Sequence, residues 1–167
     1  FPVFRSRAQA AVDEVRDAVQ RGAYDTNQGK RVATMIVAAD LVVDHPVLGV
    51  GAGDTMDEFR RRLRDGDPGM ADALADVPHL HNQYLQVAVG TGALGLVSLA
   101  AMLLALLRHR PRDEAQRTML MVLVVAYTAG FVGDPFLQKQ LPLSLFAVVA
   151  GTLMAPGCSL SGVRPDG

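Results

Sequence analysis

Two histidines one residue apart, in His79-Leu80-His81, lead into Asn82-Gln83-Tyr84-Leu85-Gln86, and the chain then turns apolar with no spacer. An imidazole titrates near neutral pH, so a positioned histidine can take a proton from a reacting group at ambient pH. Joined directly to the start of a long apolar helix candidate, this polar segment should hold its side chains where water meets hydrocarbon. Chemistry there would act on a lipid-borne substrate. Two other readings compete. His81 can be an interfacial histidine that only packs or caps at a membrane surface. Alternatively, His79 and His81 can hold a metal with His45 and an acid such as Asp76, although no HExxH or comparable zinc-type spacing is present.

The elements that must position these residues read as helices. Residues 5 to 21 are amphipathic, with Ala8, Ala11, Val12, Val15, Ala18 and Val19 at three- and four-residue spacing, and Gly22 followed by the turn-rich 24 to 29 ends them. A second helix is expected from Lys30 to Val43, buried on more than one side but too short for a bilayer. Asp40 and Asp44 share one of its faces and read as a solvated stripe. His45-Pro46 ends it, since a residue before proline avoids helical geometry, and places His45 at the negative end of the helix dipole.

Gly49-Val50-Gly51-Ala52-Gly53 lacks the Gly-Lys-Ser/Thr ending of a phosphate loop and reads as a Gly-rich turn linking two helices. Asp54 or Thr55 then caps a helix through Met56, Phe59 and Leu63, with Arg60-Arg61-Arg62-Leu63-Arg64 as its basic end, suited to the dipole and to anionic head groups or glycan. Residues 65 to 69 form a loop, and 70 to 77 are weakly patterned.

From Leu85 to Leu107 there is no charge, and the run is long enough to cross a membrane. Ala88 and Gly92, with Gly90 and Gly95, suggest close packing on a neighbouring helix. Arg108-His109-Arg110-Pro111-Arg112 follows, and the positive-inside rule makes this loop cytoplasmic, so His81 lies on the outer side. Met119 to Val132 and Leu141 to Met154 read as two further spans, with re-entrant or buried helices as the alternative; three spans return Arg164 to the cytoplasm. The expected fold is therefore all-α: an integral membrane segment with a helical periplasmic loop region at 1–84 and transmembrane helices at 85–107, 118–133 and 141–156. Loops at 108–117 and 134–140 separate the helices, and a disordered tail covers 157–167.

Half of the 167 residues are hydrophobic and they crowd into the second half, which argues against a simple soluble domain. Net charge is −1 with arginines interleaved among acids, so no nucleic-acid partner is expected. The single cysteine, Cys158, excludes an internal disulfide and a Cys-based metal site. The opening Phe1-Pro2-Val3-Phe4-Arg5 has neither an initiator Met nor the order of a signal peptide, and the chain is expected to be the C-terminal part of a larger protein.

His81-Asn82-Gln83-Tyr84-Leu85-Gln86 with Gly92-Ala93-Leu94-Gly95-Leu96 resembles the "HN-x-(Y/F)-L … G-x-x-G" signature of the O-antigen ligase-like family. Upstream, Lys30-Arg31 opening a helix that ends in His45-Pro46-Val47-Leu48-Gly49-Val50-Gly51 is similar to that family's "R … hP-x-x-G-x-G". The family comprises bacterial inner-membrane glycosyltransferases: O-antigen ligases, O-antigen polymerases and protein O-oligosaccharyltransferases. The resemblance implies transfer of a glycan from an undecaprenyl diphosphate carrier to an acceptor hydroxyl, such as lipid A-core, with no cofactor and no metal. Membrane lipid and the upstream transmembrane helices of the full-length protein are the further partners it implies.

By the same resemblance His81 is the general base and Arg31 binds the diphosphate, with Lys30, His79, Asn82 and Tyr84 as substrate-binding candidates; Asn82 could instead hold the imidazole, and Tyr84 could be an interface anchor. The family's other important arginine lies further upstream than this chain reaches. Ligase is the first choice, and polymerase or protein transferase the alternative. A non-catalytic membrane scaffold or transport component is the rival of another class.

Overall fold

A computed structural model describes residues 2–110 and 113–155, and every element among them is helical. Pro111, Arg112, Cys158, Arg164 and the expected disordered tail lie outside the described residues. In order the elements are α1 (Pro2–Arg21), α2 (Asn27–Asp44), α3 (Thr55–Arg64), α4 (Pro68–Leu74), α5 (Gln83–Arg108), α6 (Glu114–Gly130), a 3-10 turn at Phe136–Gln138, and α7 (Gln140–Met154). The chain divides into two compact units. The first runs through His81 and adds Leu85–Gly95; the second takes Asn82–Tyr84 and the chain from Leu96 onward.

In the first unit, α1 stops where Gly22 takes a positive φ of 68°, a left-handed turn that glycine adopts without penalty. Thr26 caps α2 by accepting from the Gly29 N–H at 3.0 Å, so α2 begins three residues earlier than its apolar pattern suggested. Its apolar stripe, Ala33, Val37, Ala38 and Leu41, packs in one cluster with Phe59 and Leu63 of α3, Leu74 of α4, Val77 and Leu80 of the following loop, and Val89 of α5. Each large side chain buried here contributes about 1.5–3 kcal/mol. α4, which the weak pattern over 70 to 77 did not reveal, is started by local chemistry: Asp67 accepts from the Gly69 N–H at 2.7 Å and Pro68 presets the first turn. α1 leaves Phe4, Val12 and Val19 exposed.

The apolar run after Tyr84 is not one continuous helix. At Gly92 (φ 64°, ψ −156°) the backbone leaves helical geometry inside α5. Segment 46–51 fits into the break and forms four main-chain hydrogen bonds there. Val50 and Gly51 donate to the carbonyls of Val89 and Gly90 at 2.8 and 2.9 Å, and Ala93 and Leu94 donate to those of Pro46 and Val47 at 2.9 and 3.2 Å. Glycine is required on both sides. A Cβ at Gly49 would collide with the Val89 carbonyl and one at Gly92 with the Val47 carbonyl, and both residues have positive φ. The glycines expected to mediate helix-helix packing are thus used differently: Gly90 and Gly92 admit the 46–52 loop, and Gly95 faces Thr91 and Val87 of its own helix.

The second unit centres on α6 and α7. Asp113 caps α6 by accepting from the Ala115 N–H at 2.9 Å. Tyr127 stands edge-on or tilted against Phe131, Phe136 and Phe146, and its hydroxyl donates to the Pro142 carbonyl at 2.7 Å. By length and composition α5 is apolar enough to cross a membrane, and most of its apolar stretch is not buried against the described residues. α7 is a shorter apolar helix of 15 residues.

Candidate active site

The loop after α4 carries the histidines. Val77 and Leu80 turn inward to the core of the first unit, which leaves His79 and His81 half-buried between inside and outside. The His81 N–H donates to His79 Nδ1 at 3.4 Å, and the two rings meet edge to face with centroids 4.5 Å apart. His81 has φ 52°, the one positive φ on a non-glycine among the described residues. Such a conformation is uncommon for a side-chain-bearing residue and concentrates at functional sites. Behind the loop, the Leu80 N–H donates to Gln86 Oε1 at 3.2 Å, with both residues buried.

Arg31 and Lys30 lie in the early turns of α2, Arg31 exposed and Lys30 half-buried, and neither forms an ion pair among the described residues. Arg31 precedes Ala33 by two residues and His81 directly follows Leu80; Ala33 and Leu80 belong to one apolar cluster. The structure therefore places the neighbours of both residues, Ala33 on α2 and Leu80 on the loop, in a shared core.

The other basic residues of this unit are mostly spent on acids. Arg60 pairs with Asp57 at 3.5 Å, Arg61 with Glu58, and Arg62 with Asp44. The hydrogen bond from Arg61 holds the Glu58 carboxyl below the usual glutamate range. Within the arginine run expected to meet anionic groups, Arg60 and Arg61 are thus engaged with their own helix and Arg62 with the end of α2. His45 is the C-cap of α2, its N–H donating to the Leu41 carbonyl at 3.0 Å, which fits the structural role read for it.

Asn82 and Tyr84 belong to the second unit, where their polar atoms meet main-chain carbonyls. Asn82 Nδ2 donates to Val132 at 3.2 Å and the Tyr84 hydroxyl to Thr128 at 3.0 Å. Between them Gln83, a residue to which the sequence assigned no role, donates through its N–H to the Phe131 carbonyl and accepts from the Leu137 N–H, both at 2.8 Å. Three consecutive side chains thus tie the start of α5 to the end of α6 and the turn beyond it. The partners lie about 45 to 55 positions away in sequence, so no local pattern signals them.

Among known proteins, the family model described as O-antigen ligase matches residues 2–100. No curated protein matches the chain, and no solved structure does. The matched residues include α1 to α4, the histidine loop and the broken stretch of α5.

Proposed function

Because the chain belongs to the O-antigen ligase family, we propose that it moves a glycan from a polyprenyl diphosphate carrier to an acceptor hydroxyl, with His81 as general base and Arg31 on the diphosphate. A sugar hydroxyl is a poor nucleophile at neutral pH. As its oxygen attacks the anomeric carbon of the donor, the His81 imidazole takes its proton, and the bond from that carbon to the diphosphate oxygen breaks. The leaving diphosphate carries away the electron pair. Arg31, a planar fork that matches phosphate oxygens, stabilises the charge that develops there.

One observation carries the reading: His81 is held at positive φ immediately before an apolar helix, on the same core as an exposed, unneutralised arginine. In this proposal residues 1–84 lie on the periplasmic side, and 85–107, 118–133 and 141–156 span the inner membrane. In this reading the acceptor is lipid A-core, as for a ligase, with polymerase and protein transferase as the alternatives.

The test is glycan transfer from lipid-linked donor in membranes carrying the intact enzyme, with EDTA present. His81→Ala and Arg31→Ala should each lower transfer by about 100-fold or more while the protein level holds. Wild-type transfer by both variants would remove the site assignment. Product analysis then separates the branches, since a ligase joins donor to lipid A-core and a polymerase lengthens the lipid-linked glycan.

A further inference from the structure

We infer that Gln86 is a positioning residue that fixes the orientation of His81, an inference that rests on the reading of His81 as general base. Gln86 lies near the start of α5 among Leu85, Val87, Ala88 and Val89, and is 4% exposed. A buried amide among apolar neighbours is unfavourable unless its polar atoms are used. Its Oε1 reaches back beyond the first turn of the helix and accepts the Leu80 N–H at 3.2 Å. A side chain in the first turn of a helix can reach back to the N-cap N–H in a capping box, but here the reach extends further, to Leu80. Gln86 thus fixes a peptide of the loop.

Leu80 is thereby held twice, by its side chain in the apolar cluster and by its N–H on Gln86. The next residue is His81, whose own N–H is taken by His79 Nδ1 and whose φ is 52°. With Leu80 fixed, the left-handed turn at His81 sets the direction in which the imidazole leaves the chain. Gln86 touches no substrate in this account; it acts through the peptide that carries the base. A base displaced by about 1 Å from its proton can lose about 100-fold in rate.

The experiment measures kcat and KM for lipid-linked donor with the intact membrane enzyme, per folded molecule counted by its monodisperse fraction in detergent. Gln86→Met keeps the volume and removes the acceptor; it should lower kcat about 10- to 100-fold and leave KM unchanged. Gln86→Glu keeps an acceptor oxygen at the cost of burying a carboxyl, and its kcat per folded molecule should exceed that of Gln86→Met by about tenfold. If Gln86→Met does not fold, Gln86→Asn, one methylene shorter, carries the same expected loss in kcat. Wild-type kcat per folded molecule in the Met or Asn variant overturns the inference, as does an equal loss in the Glu variant. A parallel His81→Ala separates the two failures. If that variant is inactive while Gln86→Met is normal, only the positioning role falls; if His81→Ala is active, the reading of the base falls first.

Discussion

At the scale of single residues, polar atoms in this chain divide between those that secure backbone and those left facing outward. Tyr84 belongs to the first group. Removing its hydroxyl in Tyr84→Phe deprives the Thr128 carbonyl of a donor and should destabilise the protein by about 1 kcal/mol in thermal unfolding, with KM for donor changed less than about twofold. A substrate-binding role would show the reverse, a raised KM at unchanged stability. His81 and Arg31 stand out as candidates in the sequence because each lies in a stretch that resembles the family's signature, a polar segment entering an apolar run and a cation near the start of a helix. Neither the twist at His81 nor the reach of Gln86 to Leu80 was legible. Both depend on where Leu80 is buried, and that follows from packing against α2 and α3.

At the scale of elements, apolar periodicity found α1, α2, α6 and α7 to within a few residues, and Asp67 with Pro68 explains the short α4 that periodicity missed. The break in α5 escaped because its apolar composition continues unchanged through Gly92, and only a partner segment more than 40 residues away makes the broken form favourable. Gly92→Ala should therefore cost at least about 3 kcal/mol, through a forbidden φ and a collision with Val47, seen as a large fall in melting temperature. Gly151→Ala, an exposed position of α7 with open space around it, should instead stabilise by about 0.5–1 kcal/mol.

In α3 the depressed Glu58 makes a pH-dependent contribution. A carboxyl held below its unfolded value stabilises the fold above about pH 4.3, and this support is lost as pH falls through the lower, folded value. Glu58→Gln should flatten the acid limb of a stability-versus-pH curve in that window, and a curve identical to wild type would count against the Arg61 pairing.

At the scale of the whole molecule, the proposed topology sets opposite faces for two accessible points. In a background with Cys158 replaced by Ser, a cysteine at Pro78 should react with a membrane-impermeant maleimide added to the periplasmic face of intact spheroplasts. One at Arg110 should react only after the membrane is opened. Reaction at both sites before opening would reject the arrangement. The all-helical class was legible from composition and period alone. The division into two units was not, because the chain switches between them three times, at 81/82, 84/85 and 95/96, inside and just after the motif.

The four main-chain bonds between 46–51 and 89–94 also impose an order of events on assembly. Under the proposed topology α5 enters lipid, where a helix keeps every N–H and C=O satisfied within itself, so before its partner arrives α5 is most stable running straight through Gly92. The break becomes favourable only when residues 46–51 supply the missing donors and acceptors. Those residues follow α2, whose apolar stripe packs in one cluster with α3, α4 and the histidine loop. Under that topology the bend in α5 acts as a checkpoint: it needs residues 46–51 in place, so a first unit that has not packed leaves α5 straight.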